Sequence, residues 1–147
     1  MNYARTKVQL LPLIQEEIAR VAGSVRSSDG TSLFDEIIYH SRDDNRIFAF
    51  AEQAASQLRL RLSKVDTTGA AVADTIQFVF NVPDMPANLQ SVAIQDITNY
   101  IVYHATASLL LNKNIQDRGA EYTARAKAEE DKAVGHILTR TFNSRMS

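Results

Sequence analysis

The sequence predicts a mainly α fold: a helical bundle with a long C-terminal helical hairpin and one inserted β-hairpin or extended loop. Three observations carry that expectation. Apolar residues recur three or four apart over most of the 147 residues, which is the helical period. One stretch, DTIQFVFNVP from Asp74 to Pro83, instead alternates with a period of two, setting Ile76, Phe78, Phe80 and Val82 against Gln77, Val79 and Asn81. The chain is 45% apolar and 22% charged and has no cysteine, so a single domain over 1–147 is expected to rest on its own core, without disulfides or thiolate metal sites.

The elements follow in order. Val8, Leu11, Ile14, Ile18 and Val21 predict an amphipathic helix over 5–22, with Pro12 kinking it or limiting its first turn and Gly23 as its stop. SVRSSDGTS reads as loop, and Ser32 ahead of Asp35 and Glu36 reads as the N-cap of a short helix over 33–41. Asp43 or Asp44 can cap the next helix, where Ile47, Phe50, Ala51, Ala54, Ala55, Leu58 and Leu62 share one broad face.

The end of that helix is open. In QLRLRLSKV, residues 57 to 65, Leu58, Leu60 and Leu62 alternate with Arg59 and Arg61 as in a strand, yet Leu58, Leu62 and Val65 also fit a helix. If the distal part is extended, residues 66–73 link it to Ile76–Val82 as a long-looped hairpin; if it is helical, the strand needs a partner from elsewhere. Pro83 and Pro86 end the strand. Leu89, Ile94, Ile97, Ile101, Ala105 and Leu109 then mark a long, largely buried helix over about 87–112. After the NKNIQDRG break, a last helix over about 117–142 carries Tyr122, Ala126, Ala133, Ile137 and Leu138 in a stripe, with Glu121 and Arg125 as a stabilising pair. These two helices are expected to form an antiparallel hairpin.

Composition and motifs exclude more than they assign. A formal net charge of −1 gives no overall basic field for nucleic acid or anionic membranes. The N-terminal apolar run is broken by Gln9 and Pro12, unlike a signal peptide, and IVYHATASLLL is too short for a membrane span, so a soluble, intracellular product is expected. His40, His104 and His136 have no metal-ligand spacing; His104 reads as a hydrogen-bonded core imidazole and the others as surface. HSRDDNR reads as a helix cap rather than an acid/base cluster, and no G-x-S-x-G, G-x-G-x-x-G or P-loop pattern occurs. No catalytic residue, cofactor site or metal site is therefore expected. Arg59, Arg61 and Lys64 would share one face if extended; a solvated strand face is preferred to phosphate binding. RAKAEEDK reads as a solvated helix face. Phe78 and Phe80 read as core, with subunit contact as the close alternative.

The order of elements, a helix NRIFAFAEQAASQLRLRL, a strand DTIQFVFNVP, then NYIVYHATASLL followed by AEYTARAKAEEDKAVGHIL, resembles the head–tail connector (neck ring) proteins of tailed bacteriophages over roughly 45–142. The resemblance implies a non-enzymatic structural virion protein, assembled in the host cytoplasm. It implies a homo-oligomeric ring, a dodecamer by the family pattern, that sits below the portal, receives tail proteins and lets DNA pass with transient non-specific contact and no membrane. On that reading Leu58, Arg59, Leu60, Arg61, Lys64, Ile76, Phe78, Phe80 and Val82 are the expected subunit or partner contacts, and assembly completes the strand. The alternative from the residues is a monomeric or dimeric α-helical protein-binding or regulatory module in the cytoplasm, using RLRLSK or the helix over 117–142.

Overall fold

The computed structural model describes residues 1–23 and 43–146, with side chains through Thr139. The expected loop over 24–32, the helix over 33–41 with its Ser32 cap, and His40 lie outside the described residues. Within them the order is β1 (Asn2–Thr6), α1 (Lys7–Ala22), α2 (Asp44–Arg61), β2 (Thr75–Val79), α3 (Ala87–Asn112) and α4 (Gln116–Met146). The expected class is the observed one: mainly helical, with a two-stranded antiparallel element and a long C-terminal helix pair.

Arg5 and Thr6 depart from the helix expected over 5–22. Asn2–Thr6 form a strand antiparallel to β2, with Tyr3 opposite Phe78 and Arg5 opposite Ile76. The helix starts only at Lys7, where Thr6 and Gln9 form a reciprocal capping box: the Gln9 N–H donates to Thr6 Oγ1 at 3.3 Å and the Thr6 N–H to Gln9 Oε1 at 2.8 Å. α1 continues through Pro12 and buries Leu10, Leu11, Ile14, Ile18 and Val21. Asp43 stands at the N-cap of α2 but makes no side-chain capping bond, and Asp44 adds its charge to the first turn. This helix buries Phe48, while Phe50, the residue expected on its inner face, is only partly buried.

The open end of α2 is resolved as helix. Residues up to Arg61 are helical, which places Leu58 and Leu62 in the core and turns Leu60 outward at 78% exposure. A hairpin survives in shortened form beyond it. The Thr67 N–H donates to Val79 O at 2.7 Å and the Asn81 N–H to Val65 O at 2.8 Å, around a bridge between Asp66 and Phe80. β2 therefore lies between β1 and a three-residue fragment of chain, and its main partner is the N-terminal strand.

Pro86 precedes α3, and the link to α4 turns at Asn114, whose φ of 62° is a left-handed conformation that asparagine tolerates. Contacts between the two helices pair early residues of one with late residues of the other: Leu111 with Gly119, Tyr103 with Tyr122, Asp96 with His136. They are antiparallel. The stripe of Tyr122, Ala126, Ala133 and Ile137 is buried against α3, and small alanines let the helices approach closely. α1 and α2 cover the other side of α3, so Ile97, Ile101, Ala105 and Leu109 are fully buried. The alternate residues Ile76, Phe78, Phe80 and Val82 enter the same core. Among the described residues no helix is long and apolar enough to cross a membrane.

Candidate functional site

The residues expected to make subunit contacts are divided by the fold. Ile76, Phe78, Phe80, Val82 and Leu58 are buried, so the expectation that a neighbouring copy covers the apolar face of the strand gives way to cover from within the chain. Tyr3 lies tilted against Phe78 with ring centroids 5.6 Å apart, and Phe78 stacks on Phe80 at 5.3 Å. Leu60 and Lys64 remain on the surface. The two arginines act locally. Arg59 Nη2 donates to Gln77 O at 2.8 Å while its guanidinium lies 5.1 Å from the centre of the Phe78 ring. Arg61 joins α2 to α4, donating to Glu130 at 2.6 Å and to Asp131 at 2.8 Å. A shared solvated face for Arg59, Arg61 and Lys64 is therefore not formed, because a helix directs residues two apart to different sides.

Helix α2, the loop after Thr68 and β2 enclose a cleft of about 260 Å³ that includes Glu52, Ser56, Arg59, Gly69, Val72 and Gln77. Its floor is a strand edge. Met1 and Phe80 exchange backbone bonds, and the Lys7 N–H donates to Asp74 O, so Phe78 and Ile76 also face β1 with their backbone groups. By alternation Thr75, Gln77 and Val79 present theirs to the cleft side. Val79 is satisfied there, its carbonyl by Thr67 and its N–H by Thr68 Oγ1 at 3.0 Å. Gln77 O is satisfied by Arg59. Among the described residues no group reaches the Gln77 N–H or the backbone of Thr75 on this side, and Arg59 Nε is buried without an acceptor.

A second cavity, of about 360 Å³, lies where α2, α3 and α4 meet, with Gln57, Tyr100, His104, Ser108, Lys127 and Glu130 among its lining residues. Tyr100 donates to Ala54 O at 2.9 Å. Burial first, and then Glu130, raise its pKa far above the ordinary value. His104 is half-buried and its Nε2 has no partner, unlike the hydrogen-bonded imidazole expected; burial lowers its pKa. Nearer the start of α3, Asp96 meets Glu129, and His136 Nε2 stands 3.7 Å from Asp96 Oδ2. Burial and then the Glu129 charge raise the Asp96 pKa. The RAKAEEDK segment is thus not wholly solvated, since Glu130 is buried beneath Arg61.

Elsewhere the polar contacts join elements. Tyr122 donates to Glu17 at 2.8 Å, linking α4 to α1, and burial with this carboxylate pushes its pKa up to about 12. Glu121 pairs with Arg118 and, as the spacing predicts, with Arg125. Among the described residues no group of three or more His, Cys, Asp or Glu side chains could hold a metal ion. No family model, curated protein or solved structure matches this chain.

Proposed function

We propose that this chain is a structural assembly protein of the head–tail connector type, which forms a ring below a portal, receives tail proteins and leaves a lumen for DNA. The observation that carries the proposal is the exposed segment Gly69–Asp74, which has Val72 at its tip at 54% exposure and is held at both ends by β2 and its pairing partners. A rigid helical body with an anchored, nearly uncharged arm suits repeated docking of like subunits better than small-molecule chemistry. The order of α2, arm, β2, α3 and α4 is the one on which the resemblance rests. The near-neutral net charge of −1 is compatible with DNA sliding through a lumen rather than sticking to it.

The test is native mass over a concentration series with negative-stain imaging, with and without a purified portal, for wild type and Val72→Asp. Closed rings in wild type that are lost in V72D are the expected outcome. A monomer throughout, including with portal present, would overturn the ring. A second reading is favoured by one observation: β1 of the same chain pairs with β2 over its whole length, so the strand forms without a neighbouring copy. A monomeric or dimeric helical binding module is consistent with that self-sufficiency.

A further inference from the structure

We infer that the cleft between α2 and the free edge of β2 is a docking groove for an extended peptide segment of a partner protein that carries one carboxylate opposite Arg59. The inference does not depend on the ring. It begins from a strand pairing that the chain starts and does not finish. Residues 65–67 pair with the Val79–Asn81 end of β2, and at Thr68 the side chain replaces the backbone as the acceptor for Val79. The chain then turns away along the exposed loop, leaving Thr75 and Gln77 without a strand on the side away from β1 among the described residues. An incoming peptide would continue the third strand where the protein's own chain leaves it. The donors and acceptors of such an edge supply affinity without regard to side-chain identity.

Charge selects the class of peptide. Arg59 stands over this edge and, among the ion pairs of the described residues, none includes it, whereas Arg20, Arg61, Arg118 and Arg125 each have a carboxylate. Its Nε–H is buried with no acceptor, and one Nη2–H bond to Gln77 O occupies only part of its donor set. In the free protein the guanidinium protects the edge, which is a common device against uncontrolled pairing. A carboxylate on the peptide gives Arg59 a charged, bidentate acceptor in place of a neutral carbonyl. The Gln77 carbonyl is then released to accept from the peptide backbone. Val72 at the rim offers an apolar contact for a β-branched side chain of the same peptide. Glu52 and Asp66 also line the groove and disfavour further acidic residues, so the segment it takes carries a single carboxylate, opposite Arg59.

The experiment uses the full chain with acetylated, amidated hexapeptides that alternate β-branched and neutral polar residues and carry one central acidic residue, the same peptides with lysine for that acid, and the acidic peptides N-methylated at odd or even positions. Binding is read by amide chemical shifts and hydrogen exchange. The expected result is binding of acidic peptides, with the Gln77 and Thr75 amides shifted and slowed in exchange. Lysine peptides should not bind, and only one phase of N-methylation should abolish binding, because a strand bonds through alternate residues. Arg59→Gln should weaken the acidic peptides about tenfold or more, the scale of a lost charged hydrogen bond. Since Arg59 also packs on Phe78, the N-methyl series tests edge pairing without altering the protein. No binding, equal binding of lysine peptides, or indifference to the N-methyl phase would overturn the inference.

Discussion

Asp96 shows how a single residue can work against the stability of its own fold. Burial in the α3–α4 seam and the Glu129 carboxyl beside it raise its pKa above the ordinary 3.8, and the Lys132 and His136 charges only partly offset this. As pH rises through 3.8 the unfolded chain releases this proton first, so stability is lost from there until the folded carboxyl also ionises, and the deficit persists at neutral pH. Asp96→Asn keeps the shape and supplies an amide donor to Glu129. Its melting temperature at pH 7 should exceed wild type by about 3 °C, for a gain of about 1 kcal/mol, with the gap closing toward pH 3.5. His104 has the opposite sense: its lowered pKa means that stability falls as pH drops below the ordinary 6.5, where the unfolded imidazole takes up a proton first. Neither residue announces this role in sequence. An aspartate within AIQDITNY looks alike whether it faces solvent or a neighbouring helix, and the setting of His104 pointed to the core but not to an unpartnered Nε2.

Among elements, the α3–α4 pair was the most legible, because its apolar positions keep the helical period over several turns and its alanines lie on the same stripe as Tyr122 and Ile137. Two glycines of α4 separate the demands of packing from those of propensity. A Cβ on Gly119 would stand 2.7 Å from Leu111 Cγ, so Gly119→Ala must displace Leu111 from the turn between the helices and should cost about 1 to 2 kcal/mol. Gly135 is exposed, with nothing within 4 Å of an added Cβ, and Gly135→Ala should stabilise by about 1 kcal/mol through helix propensity alone. Denaturant melts of the two variants should therefore shift in opposite directions. β1 was the element missed. NYART is only five residues long and is followed at once by a helical apolar period, so its last two residues were read as the start of the helix over 5–22 and Tyr3 was given no element. The available signal was Thr6 followed by Gln9, a capping pair that sets the helix start at Lys7.

At the scale of the molecule, the N-terminal strand and the β2 segment join what would otherwise be a bundle of separate helices. Tyr3 is fully buried, packs on Phe78 and shares a 2.9 Å hydrogen bond with Thr98 of α3, so one side chain connects β1, β2 and the central helix. Tyr3→Ala should cost about 3 kcal/mol or more, and Tyr3→Phe about 1 kcal/mol, in a single cooperative transition followed by circular dichroism. The same connection changes what a deletion can test. Removing 66–82 would excise Ile76, Phe78, Phe80 and Val82 from the core, so assembly is better probed at Val72, whose side chain is outside it.

What the sequence determined by itself was the class of fold and its inner faces. The helical period of α1, α2, α3 and α4 and the two-residue period of Ile76 to Val82 are local patterns that specify which side of each element must leave water. Only the tertiary structure decided which strand meets which. Backbone hydrogen bonds carry no sequence label, and Leu58–Val65 and Asn2–Thr6 were both able to offer an edge to β2. The choice was made by packing: as a helix, the 57–61 stretch buries Leu58 beside the core while Arg59 reaches Gln77, and the N-terminal strand brings Tyr3 onto Phe78 and Thr98. That same choice leaves Thr75 and Gln77 with a free edge, because the residues that might have covered it were committed to the helix.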